Sequence, residues 1–207
     1  MRCRAVLQWS MAGSRIFLVR HGQTAWSRTG RHTSRTDVPL EPEGVGQAEA
    51  VGGLLAGREF ALVLSSPLQR ALETCRLAGF GDRAEDCPDL VEWDYGEYEG
   101  QTTDEILQGR PGWSLWTDGV PGGETAADVG RRADRVLSVA RALEGDTLCF
   151  AHGHFLRVLA ARWTGLPPAG ARLLALAAGS VSVLGWERET PVIVHWNELP
   201  ASSLRSG

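Results

Sequence analysis

Short runs of branched apolar residues alternate along this chain with longer stretches in which apolar positions recur every three or four residues. Arg15 to Val19, Phe60 to Leu64 and Thr147 to Ala151 are of the first kind, and each predicts a strand buried on both faces. Glu43 to Ala56 is of the second kind. Its Val45, Ala48, Val51 and Leu55 predict an amphipathic helix, weakened by several glycines. Ser65-Ser66-Pro67 predicts the start of another helix, with serine as cap and proline at the first helical position, and with Leu68, Ala71, Leu72 and Cys75 inward. Ala126 to Leu143 and Gly153 to Trp163 predict two more helices. Ser180 to Trp186 and Val192 to Trp196 predict a late hairpin turning around Glu187 to Pro191. Alternating strands and helices imply a doubly wound, mainly parallel α/β sheet with helices on both faces. Gly81 to about Glu124 breaks the pattern: Trp93, Tyr95, Tyr98, Trp113 and Trp116 lie among glycines, prolines and acids, as expected of an inserted cap.

The length, 207 residues, suits one domain, expected over 15–207 with its cap at about 81–124. Residues 1–14 carry no complete export signal and are expected to be a disordered N-terminal extension, of which residues 1–10 are the extension proper or precede a true start at Met11. No stretch is long and apolar enough for a membrane helix. The formal net charge is −4 and the basic residues form no run, so neither nucleic acid nor an anionic membrane is an expected partner. All 21 basic residues are arginine, which rules out Schiff-base and phosphate-loop lysine chemistry and leaves the guanidinium fork, suited to phosphate or carboxylate. Cys3, Cys75, Cys87 and Cys149 are too scattered for a metal knot or a disulfide framework, and a reducing cytoplasm is expected.

Folds of this kind place ligand groups at the carboxyl ends of their strands. Arg20 and His21 end the first predicted strand, Ser65 and Ser66 the second with Arg70 one turn on, and His152 the third. Two arginines and two histidines from three distant segments thus converge on one edge. Phosphoryl transfer needs cationic forks, an in-line nucleophile and an acid for the departing oxygen. Arg20 and Arg70 are the candidate forks and His21 the candidate nucleophile. Gly22 beside it is expected to let a ligand approach. His152 is a candidate donor to the phosphoryl oxygens, and Glu92 a candidate acid.

LVRHGQT (18–24), SSPLQRALET (65–74), LVEWDYGEYEG (90–100), GGET (122–125) and FAHGH (150–154) occur in an order that resembles the histidine phosphatase superfamily, the phosphoglycerate-mutase-like group, over about Arg15 to Gly165. The resemblance implies a phosphoglycerate-mutase-like fold with an inserted cap and a phosphohistidine on His21. It also implies that Arg20, Arg70 and His152 hold the phosphoryl group and that Glu92 serves as acid and then base toward water. Gln23, Thr24, Ser27, Thr33 and His154 become expected substrate contacts. Glu97 and Glu99 are expected in the following turn. No metal and no cofactor are implied.

Ser27 and Ser34 stand where many relatives have Asn and Gly. The chain lacks the lysine of the mutases and has only Arg110 in place of their double-arginine loop. GRHTSRTDVPL, EWDYGEYEG, WSLWTDG and FAHGHFLR look most like the branch of bacterial acid phosphatases and a fungal sugar-bisphosphate phosphatase. The expected function is hydrolysis of a small phosphorylated metabolite, a sugar phosphate, with a mutase or a non-catalytic phospho-ligand-binding module as alternatives. His32 and His195 are expected to be ordinary surface or core histidines, Trp113 and Trp116 to pack a cap, and Arg31, Arg35 and Arg110 to be solvated. The oligomeric state cannot be read from the sequence.

Overall fold

The computed structural model describes residues 13–200; residues 1–12 of the expected extension at 1–14 lie outside the described residues, and Ser14 is not disordered, its hydroxyl donating to the Leu143 carbonyl and accepting from Gly145 N–H. Six strands form one sheet: β1 (Ile16–Arg20), β2 (Leu62–Ser65), β3 (Ala84–Asp86), β4 (Thr147–Ala151), β5 (Val181–Glu187) and β6 (Thr190–Glu198). Their spatial order is β3-β2-β4-β1-β5-β6. The first four run parallel, and the β5–β6 hairpin is antiparallel beside β1.

Alternation along β1 divides the core in two. Ile16 and Leu18 point to one face, where α6 (Ala126–Arg141) and α7 (Gly153–Trp163) pack through Val129, Ala133, Val136, Phe155 and Leu159. Phe17 and Val19 point to the other, against Val51 and Leu55 of α2 (Pro42–Leu55) and Cys75 of α3 (Gln69–Leu77). The period of two thus sends each strand's side chains to opposite helix layers. Burying one such Leu or Phe contributes about 1.5–3 kcal/mol.

Three local expectations are corrected. Helix α3 starts at Gln69, capped at Leu68 with no side-chain bond, because Ser66 is directed to His152 instead. The inner face of α2 carries Gly44 rather than Val45, since this turn passes against the backbone of Gln23. Within 81–124, Ala84–Asp86 belongs to the sheet as its edge strand, and its acids read as loop because an edge strand has one side open to water. The rest of that segment holds α4 (Thr103–Gly109), α5 (Leu115–Asp118) and several tight turns. Helix α4 begins at a Thr102–Glu105 capping box and α6 at a Thr125–Asp128 one.

Candidate active site

Strand β4 lies between β1 and β2, so the ends of these three strands meet at the sheet's centre. The register pairs Arg20 with Ala151 and Ser65 with Phe150, which puts His21, Ser66 and His152 one residue beyond the paired strands. The rings of His21 and His152 are 5.2 Å apart at 58°.

His21 Nδ1 lies 2.7 Å from the Gly22 carbonyl oxygen. A carbonyl only accepts, so the ring proton is on Nδ1 and Nε2 keeps its lone pair. Burial, then the charges of Arg70 and Arg20, hold the imidazole well below its usual range. Gly22 corrects an expectation: its open side faces helix α2, where a Cβ would stand 2.2 Å from the Gly44 oxygen, so the glycine serves chain packing rather than ligand approach.

Around His21, the buried polar atoms Arg20 Nε, Arg70 Nε and His152 Nδ1 have no hydrogen-bond partner. Such atoms are rare in proteins, and three of them around one buried histidine have the chemistry of a donor set for an oxyanion. Other atoms of each residue are tied down. Arg20 Nη1 donates to the Leu176 carbonyl at 2.5 Å, with its guanidinium close under Gly153. Arg70, fully buried, donates to the carbonyls of Thr33, Ser34 and Thr36 and is 4.0 Å from Asp37. His152 Nε2 lies 2.7 Å from Ser66 Oγ. With the hydroxyl donating, the ring proton sits on Nδ1, the unpartnered atom. Burial and the neighbouring Arg70 hold this imidazole, too, well below its ordinary range.

Glu92 approaches from between β3 and α4. Its Oε1 accepts from the backbone N–H of Trp93 and of Phe155, both at 2.9 Å, and Oε2 accepts from that of His154 at 3.0 Å. The carboxylate thus covers the N-terminus of α7, where the helix dipole favours negative charge. Oε2, with a single backbone donor, keeps acceptor capacity toward the cleft. That cleft, a cavity of about 160 Å³, is lined by Arg20, His21, His32, Glu92, His154 and Arg157 among others.

Among the expected substrate contacts, Thr33 and His154 line the cleft. Gln23 and Thr24 do not: the Gln23 amide reaches Glu41 and Thr24 caps α1 (Ala25–Arg28). Ser27 lines the cleft, but its hydroxyl accepts from Thr24 N–H and donates to the Thr24 carbonyl, completing that cap. Glu97 is exposed in the 96–98 turn, and Glu99 accepts from the N–H groups of Ser34 and Thr36, holding the loop that Arg70 grips. Ser34 is therefore buried in the rim. Arg35 pairs with Asp94 outside the cleft, Arg110 is exposed, and Arg31 lines the cleft while bridged to Glu105. Trp113 is buried and donates to the Gly119 carbonyl, and Trp116 packs edge-on against Trp93 and His154. His195 is exposed.

Three cleft residues escaped the sequence reading. His32 is buried and bonded to the Gln101 carbonyl, one of the two ordinary places expected of it, and it also lines the cleft, which was not expected. Tyr95 meets His154 through its phenol. Arg157 lies three residues after His154, a spacing that puts both on one helix face, and its guanidinium stacks 4.5 Å from the Trp116 ring.

A family model described as histidine phosphatase superfamily (branch 1) matches residues 16–199. The chain belongs to the histidine phosphatase superfamily. This histidine phosphatase is 45% identical to an acid phosphatase of Mycobacterium tuberculosis, over 84% of this chain and 87% of the relative. It is 37% identical to sedoheptulose 1,7-bisphosphatase of Saccharomyces cerevisiae, over 73% and 68% respectively. A solved Mycobacterium tuberculosis structure superposes with a TM-score of 0.86 at 39% identity, covering 90% of this chain and 98% of that one. The mostly parallel α/β sheet is thus the phosphoglycerate-mutase-like fold, and the chain is a phosphoric monoester hydrolase of the acid phosphatase kind. Among the described residues, no helix is long and apolar enough to cross a membrane.

Proposed function

We propose that His21 is the nucleophile of a two-step hydrolysis of small phosphorylated metabolites, sugar phosphates among them. His21 Nε2 attacks phosphorus and the ester oxygen leaves with the proton of Glu92, giving phosphohistidine and a free alcohol. Water then attacks phosphorus, Glu92 takes its proton, and inorganic phosphate departs with His21 neutral again. Arg20, Arg70 and His152 hold the non-bridging oxygens through the transition state, where charge spreads over them. The single observation carrying this reading is the ring of three unpartnered buried donors around a histidine whose Nε2 lone pair is exposed to the cleft. Segment 87–124 serves as the cap over the leaving group. Unpaired Cys75 and Cys149, both buried, suit a cytoplasmic location.

The test is phosphate release from an aryl phosphate, with chelator present, by the wild type and His21→Ala. Turnover that falls by at least about three orders of magnitude in the variant, the scale of losing a nucleophile, supports the reading. Equal turnover by both proteins, or turnover only with an added divalent metal, overturns it.

A further inference from the structure

His32 and His154 line the open side of the cleft with their rings nearly parallel, 7° apart in tilt and 6.1 Å between centroids. The protein engages one nitrogen of each. His32 Nδ1 is 2.8 Å from the Gln101 carbonyl oxygen, which can only accept, so the proton is on Nδ1 and Nε2 is a bare acceptor.

His154 is set the opposite way. Its Nδ1 lies 2.6 Å from the Tyr95 hydroxyl. Tyr95 is buried, and its hydroxyl makes its hydrogen bond to this nitrogen, so the phenolic proton is satisfied only by donation to Nδ1. Burial and the nearby Glu92 charge keep the phenol protonated, while burial and the Arg157 charge keep His154 neutral. The proton of His154 is therefore on Nε2, which makes no hydrogen bond to the protein. Edge contacts from Tyr95 and Trp113 to His32, and from Trp116 to His154, fix both rings.

Two near-parallel rings 6.1 Å apart in the cleft lining thus carry an acceptor, His32 Nε2, and a donor, His154 Nε2–H. An alcohol hydroxyl satisfies both at once, because it donates and accepts. An ionised phosphate or carboxylate oxygen only accepts and would face the His32 lone pair. We propose that His32 and His154, held in opposite tautomers by Gln101 and Tyr95, read a hydroxyl of the leaving alcohol. This makes the substrate class a polyol or sugar phosphate and Tyr95 a positioning residue. The inference rests on the phosphatase reading above and names what that site selects.

The test pairs glycerol 1-phosphate with propyl phosphate, the same three-carbon ester without hydroxyls. Wild-type kcat/KM is expected to favour glycerol 1-phosphate by at least about tenfold, as a site built to hydrogen-bond a hydroxyl rejects the analogue that lacks it. In Tyr95→Phe and His32→Phe this ratio falls to within about threefold of unity. Nitrogen-15 NMR of the resting wild type is expected to show His154 protonated at Nε2 and His32 at Nδ1, with the His154 preference lost in Tyr95→Phe. Equal wild-type rates on the two esters, or a His154 proton on Nδ1, overturn the inference even while an aryl phosphate is hydrolysed through His21. An unchanged ratio in Tyr95→Phe does so as well. A wild type inactive on all three esters instead brings down the phosphatase reading, and this inference with it.

Discussion

The backbones of Gly22 and Gly44 pass so closely that a Cβ on Gly22 would stand 2.2 Å from the Gly44 oxygen, and one on Gly44 would stand 2.2 Å from the Gln23 oxygen. Helix α2 thereby presses directly on the peptide that follows His21. Since Gly22 also supplies the carbonyl that fixes the His21 tautomer, this contact connects packing to chemistry.

Gly44→Ala is expected to destabilise the protein by about 1–3 kcal/mol, the range for overpacking a tight site. For a chain of this size that lowers Tm by about 2–4 °C per kcal/mol. The folded fraction loses activity as well, because the atoms that must move belong to the His21 loop. Thermal denaturation beside kcat on an aryl phosphate checks both; an unchanged Tm with unchanged kcat refutes the contact.

Ser66→Ala removes the hydroxyl that orients His152 Nε2 and so frees the tautomer that puts the proton on the unpartnered Nδ1, the atom proposed to hold the phosphoryl group. A fall of about 10- to 100-fold in kcat is expected, the cost of a misplaced catalytic group. Stability should change less, since the gap is small. Steady-state kinetics with a urea titration would separate the two effects, and a variant that loses stability but keeps kcat would make Ser66 purely structural.

Glu92→Gln tests the leaving-group proton. General acid catalysis contributes about 10²- to 10⁴-fold where the departing alkoxide is poor, and little where it is a good leaving group. The variant should therefore lose far more on glycerol 1-phosphate than on nitrophenyl phosphate. Equal losses on both would assign Glu92 to capping α7 alone.

Two pH effects follow from the buried imidazoles. Burial beside Arg70 and Arg20 holds His21 well below the usual value near 6.5, so its lone pair survives into acid and the acid limb of kcat/KM is expected below pH 6.5. An acid limb that already begins above pH 6.5 as the pH is lowered would contradict this.

Stability has the opposite consequence. His21, His32, His152 and His154 are all depressed in the folded state, so below about 6.5 the unfolded chain binds protons that the native one does not. Their contribution is complete above about pH 6.5 and is lost as pH falls from there toward the folded values. Urea midpoints should be level above pH 7 and drop steeply between pH 6.5 and 5; a flat line across that window would show that these rings titrate normally.

Much of this site was legible in the sequence because its parts lie where strands end. Arg20, His21 and His152 follow runs whose apolar character permits only a buried strand, and Arg70 and Glu92 sit within ordered motif blocks. Other features were hidden for physical reasons. Strand β3 is too short and too acidic at the sheet edge to show a pattern. Ser66 reads as a helix cap because a serine before proline ordinarily is one, and only tertiary contact redirects it to His152. His32 carries no local signal: it belongs to the cleft because Gln101 and His154, distant in sequence, meet it there. Gln23 and Thr24 show the converse, neighbours of His21 in sequence that are spent on Glu41 and on capping α1 and do not line the cleft.

The most direct measurement is rapid-quench capture of the phosphoenzyme during turnover of a labelled phosphate ester, followed by mapping of the labelled peptide. The account predicts an acid-labile, base-stable phosphate on His21 in the wild type, accumulating where the second step is slow and missing from His21→Ala. Label on another residue, or steady hydrolysis by His21→Ala at the wild-type rate, would contradict it.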